Sequence, residues 1–93
     1  MDDKFRNVPI EEDTKILRRV IITVAGHEVL HEAWSWDGVK GETFVFSSTE
    51  VAKYSDGELE QVARQSGLLV PGSQITIKRA DSGYTFVNFN FRA

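Results

Sequence analysis

The chain has 93 residues, 41% hydrophobic and 27% charged, with no cysteine and a formal net charge of −3. One modest core fits this length, with a stability of about 5–14 kcal/mol, and two domains do not fit. Disulfides, thiolate chemistry and cysteine-based metal centres are excluded, and the mild acidity argues against a strongly basic nucleic-acid binder. The longest apolar run, Val20-Ile21-Ile22-Thr23-Val24-Ala25, is far shorter than a membrane span. The start, Met1-Asp2-Asp3-Lys4, is acidic where a signal peptide is basic and then apolar. The expectation is a cytoplasmic protein with no membrane partner.

Residues 1–13 are polar and acidic, carrying Asp2, Asp3, Glu11, Glu12 and Asp13 around Pro9. They are expected to form a flexible N-terminal arm, with residues 14–93 as a single α+β domain. Residues 15–25 end in a β-branched run that predicts a strand. Val20, Ile22 and Val24 alternate with Ile21 and Thr23, so both faces are largely apolar, and an inner position in the sheet is expected.

Residues 26–36, Gly-His-Glu-Val-Leu-His-Glu-Ala-Trp-Ser-Trp, fit two patterns. As a strand they place Glu28, Leu30, Glu32, Trp34 and Trp36 on one side. As a helix they align Val29, Leu30, Ala33 and Trp34. The preceding strand and the turn-rich Asp37-Gly38-Val39-Lys40-Gly41 favour a strand. Thr43-Phe44-Val45-Phe46 is a third strand, so the first half reads as a meander.

Helix signals follow. Ser47 stands three residues before Glu50, and Ser55 three before Glu58, and both spacings suit a capping box. Leu59, Val62 and Ala63 form an apolar stripe, Glu60 and Arg64 are spaced to pair, and Gly67 suits the stop. A main helix is expected at about 56–66, after a short helical turn at 49–54. Pro71-Gly72 marks a turn, and Gln74–Lys78 alternates as a strand. Asp81-Ser82-Gly83 is a hairpin loop. In the last strand Val87, Phe89 and Phe91 share one face, and Tyr84, Phe86, Asn88 and Asn90 the other. The expected fold is α+β: an antiparallel sheet of about five strands (β-β-β-α-β-β) with one main helix packed on one face. A single helix cannot cover both faces, so either the sheet curls or one face stays partly exposed.

Three groups of residues carry candidate functions. His27-Glu28-Val29-Leu30-His31 matches H-E-x-x-H and over these five residues resembles the zincin metallopeptidases. The resemblance implies a minimal zinc hydrolase, with His27 and His31 as ligands, Glu28 as general base and Glu58 or Glu60 as third ligand, because no further histidine exists. A strand at this point would instead hold the two histidines about 13 Å apart, too far for one zinc. Second, Trp34 and Trp36 share a strand face and offer large rigid contact area. Third, Tyr84 and Phe86, with Lys78 and Arg79 on the adjacent strand, outline a weak single-stranded nucleic-acid platform. No phosphate loop, nucleophile elbow or serine–histidine–acid order is present. By subtraction the expected function is a non-catalytic interaction protein of inhibitor, immunity or accessory-subunit type. It would bind another macromolecule, with a protein as the expected partner, through a sheet face or edge by Trp34, Trp36, Tyr84 and Phe86. Zinc hydrolysis and single-strand binding are the alternatives, no cofactor is implied, and a homodimer is compatible with the pattern.

Overall fold

A computed structural model of the chain describes residues 15–69 and 71–92. The expected 1–13 arm lies outside the described residues. The elements are β1 (Lys15–Val24), β2 (His27–Trp36), β3 (Val39–Ser47), α1 (Ser48–Val51), α2 (Asp56–Gln65), β4 (Gln74–Arg79) and β5 (Tyr84–Arg92). They form a five-stranded antiparallel open sheet in the order β1-β2-β3-β5-β4, with two short helices. The described residues are mostly sheet, so α+β with one main helix describes them only approximately.

Residues 27–36 form a strand, which resolves the ambiguity of that segment. Ala25 and Gly26 have φ of 50° and 82°, and Asp37 and Gly38 have 47° and 76°. Positive φ at both central residues makes each a type I′ turn, whose twist matches that of the flanking strands. These turns pair Val24 with His27 and Trp36 with Val39, which fixes the register of the whole meander. The expected turn over 37–41 is therefore too long. Val39, Lys40 and Gly41 belong to β3, because a two-residue turn is sufficient.

β1 corrects a second expectation. Among the described residues it is an edge strand and not an inner one. Tight antiparallel turns place it beside β2 and bring no other described strand to its far side. Val20, Ile21 and Ile22 are accordingly only half-buried, and the register shifts by one residue between Ile16 and Arg18, a β-bulge at Leu17.

After β3 the chain crosses one face through α1 and α2 and returns as β4 at the opposite edge. β5 then pairs between β4 and β3. On the helix-bearing face the core gathers Val24, Val29, Phe44, Phe46, Val51, Leu59, Ala63, Val87 and Phe89. α2 contributes Leu59 and Ala63, one turn apart, as its stripe requires. Its start is a capping box: the Glu58 N–H donates to Ser55 Oγ and the Ser55 N–H donates to Glu58 Oε1, both at 3.1 Å. The Ser55 N–H, and after it the Ser55 hydroxyl, stabilise the ionised carboxylate and hold the Glu58 carboxyl below its ordinary pKa. Ser55→Ala should destabilise the domain by about 1 kcal/mol, read from urea unfolding. A change within experimental error would remove the cap from the account of α2.

The Ser47–Glu50 box does not form. Ser47 makes no side-chain cap bond, because it ends β3 in register with Val45 and Tyr84, on the face away from the helices. α1 is anchored instead by Ser48, whose N–H donates to the Gly83 carbonyl at 3.0 Å and whose hydroxyl meets Thr85 Oγ1 at 3.0 Å.

Candidate interaction face

Alternation along the strands divides the candidate residues between the two faces. Glu28, Leu30, Glu32, Trp34 and Trp36 of β2 project to the face without helices. Val45, Thr43 and Gly41 of β3, and Tyr84, Phe86 and Asn88 of β5, lie beside them in register. No described helix or strand packs across this face.

It contains two apolar regions with a polar row between them. In the first, Leu30 and Val45 are buried at the centre, and Ile21, Tyr84 and Phe86 pack around them. In the second, Trp34 lies flat over Gly41. A Cβ at position 41 would fall among the indole atoms Cζ2, Cε2 and Cη2. The glycine is what lets the ring lie against the sheet. Trp36 follows two residues on and is 51% exposed.

The row between is hydrogen-bonded and charged. Trp34 Nε1 donates to Thr43 Oγ1 at 3.1 Å, and Thr43 donates to Asn88 Oδ1 at 2.9 Å. On the other side of Thr43, Glu32 pairs with Arg19 at 3.3 Å. Burial pushes the Glu32 carboxyl above the usual carboxylate range, and the Arg19 guanidinium partly opposes that rise. The row fixes the Trp34 ring in place and divides the face in two.

All four predicted binding residues therefore share a face without forming one cluster. Tyr84 and Phe86 belong to one region and Trp34 and Trp36 to the other. Sequence reasoning missed Gly41, Thr43, Arg19 and Glu32. Glycine inside a strand, opposite a tryptophan, was the available signal.

The H-E-x-x-H residues are arranged otherwise than a zincin site requires. On β2 the two histidines face the helices and Glu28 faces the opposite way, so no shared metal position exists. His27 Nε2 lies 3.0 Å from the Tyr54 hydroxyl and its Nδ1 lies 3.6 Å from Glu50. His31 Nε2 meets Glu42 at 2.7 Å and its ring stacks edge-on against Phe44. Of the third-ligand candidates, Glu58 caps α2 and Glu60 pairs with Arg64 at 2.9 Å. Among the described residues no group of three His, Asp or Glu side chains is placed to hold a metal ion.

The nucleic-acid platform is divided as well. Lys78 lies opposite Phe86, on the helix-free face. Arg79 turns to the other face, where it donates to Asp56 at 3.1 Å and to the Tyr54 carbonyl at 2.6 Å. Its charge fastens the α1–α2 connection and is not offered to a ligand.

No described helix is long and apolar enough to cross a membrane. No protein-family model, curated protein or solved structure matches the chain.

Proposed function

We propose that the chain is a non-catalytic interaction module, an α+β protein that binds another protein through the helix-free face of its sheet, in the cytoplasm. The observation that supports this is the side-chain content of that face. A sheet of this size has one helix-packed side, and its other side would be expected to be polar. Here that side carries Ile21, Leu30, Trp34, Trp36, Val45, Tyr84 and Phe86. Tryptophan and tyrosine on a flat, rigid surface are the side chains that dominate protein interfaces. The Trp34–Thr43–Asn88 hydrogen-bond chain holds the Trp34 ring in one position, which lowers the ordering cost of binding.

The test compares partners recovered by the wild-type chain with those recovered by a Trp34→Ala, Trp36→Ala, Tyr84→Ala, Phe86→Ala variant, after circular dichroism has established that the variant is folded. Loss of the recovered protein is the expected result. Undiminished recovery by the folded variant would end the assignment of these residues. If that variant does not fold, Trp36→Ser, at an exposed position, should still weaken recovery about tenfold, the effect of losing one aromatic anchor.

A further inference from the structure

The two edges of the described sheet differ in length and charge. One edge, β4, has six residues and ends in Lys78-Arg79, and short charged edges resist strand addition. β1 has ten residues and differs along its length. Its first half holds Lys15, Arg18, Arg19 and the bulge. Its second half, Val20-Ile21-Ile22-Thr23-Val24, has no charge, proline or bulge, and no described strand pairs with its outer side.

Register determines which groups are offered. The type I′ turn makes Val24–His27 a hydrogen-bonded pair, and alternation does the same for Ile22–Val29 and Val20–His31. The N–H and C=O groups of Arg19, Ile21 and Thr23 therefore point outward. The uninterrupted part of the strand runs from Arg18, after the bulge, to Val24, before the turn, and its midpoint is Ile21.

We propose that this edge pairs with a second copy of itself, antiparallel, about a two-fold axis through Ile21. In that register Ile21 meets Ile21 of the other copy, Val20 meets Ile22, and Arg19 meets Thr23. The hydrogen-bonded pairs use just the residues whose groups face outward, and the central side chains are β-branched, which suits cross-strand packing. Charge selects the same arrangement. The antiparallel axis carries the basic end of one β1 to the turn end of the other. Arg19 then lies opposite Thr23, whose β2 neighbour is Glu28, and Arg18 lies opposite Val24, whose β2 neighbour His27 sits against Glu50. No like charges oppose one another directly. An axis normal to the sheet also leaves both helix-free faces on the same side of the joined sheet. The pairing uses none of Trp34, Trp36, Tyr84 or Phe86 and shares only Ile21 with the face proposed above, so the two are tested by different substitutions.

Thr23 is exposed, so it can be changed without disturbing the core. Sedimentation of the full chain over a micromolar to sub-millimolar dilution series should show a dimer. Thr23→Lys, which faces Arg19 at both ends of the two-fold, should weaken it about tenfold, whereas Thr23→Glu should not weaken it. Because the chain lacks cysteine, register is read by cross-linking. Ile21→Cys should oxidise to a disulfide-linked dimer, since paired Cα atoms lie about 5.5 Å apart. Thr23→Cys should not, since the two positions stand about 14 Å apart along the strands. A monomer throughout the series, with the edge left to residues 1–14 or to a foreign strand, overturns the proposal. So does a dimer that is indifferent to the charge at position 23, or one that cross-links at 23 and not at 21.

Discussion

Phe44→Ala should destabilise the domain by about 3–5 kcal/mol, which would leave it barely folded at room temperature. Phe44 is fully buried. Its ring meets Phe89 edge-on at 5.0 Å and His31 at 5.2 Å. The cavity left by alanine would lie where β2, β3 and β5 come together, and three strands paired in fixed register have little room to collapse into it. His31 would lose its packing partner and hold its bond to Glu42 on one side only. Urea or thermal unfolding gives the answer directly. A loss below about 1 kcal/mol would mean that the helix-bearing face does not hold the main core.

On the other face the largest effect is expected at Gly41. Gly41→Ala should cost about 2–3 kcal/mol, the combined effect of overpacking and a lost hydrogen bond. The indole of Trp34 cannot yield easily, since its Nε1 is held by Thr43, which is held in turn by Asn88. An added methyl group must lift the ring and break that chain. The double variant separates this mechanism from a backbone effect. In a Trp34→Ala background the same Gly41→Ala change should cost nearly nothing, because alanine is otherwise better suited than glycine to a strand. Equal costs in both backgrounds would show that the ring does not depend on the glycine.

These two positions also show how far the sequence could be read. Strand alternation and turn chemistry are local, and they were legible. Asp37-Gly38 lay within the segment read as a turn, Ser55 with Glu58 declared the start of α2, and the two faces of Tyr84–Asn90 followed from period two alone. Order in the sheet is not local. β1 has the composition of an inner strand, yet the type I′ turn at Ala25-Gly26 commits it to β2, and the connection through α1 and α2 carries the rest of the chain to the far edge. Side-chain partnerships across strands were illegible for the same reason. Gly41 read as a turn residue because its reason, the Trp34 ring, lies on another strand. Arg79 read as a free cation beside aromatics, whereas the crossover brings Asp56 and the Tyr54 carbonyl to it. The H-E-x-x-H pattern misleads in a similar way, since its meaning depends on a helical period that the β-branched residues before it and the tight turns on either side do not permit.

The division of the sheet into one helix-packed face and one that no described helix covers underlies the whole account, and solvent contact tests it most directly. With a soluble gadolinium chelate added to the free chain, the aromatic proton signals of Trp36, Tyr84 and Phe86 should broaden well before those of Phe44, Phe46 and Phe89, which are fully buried beneath the helices. Equal protection of the two sets would mean that the second face is already covered in the free protein, and it would contradict the reading of that face as the surface on which a partner docks.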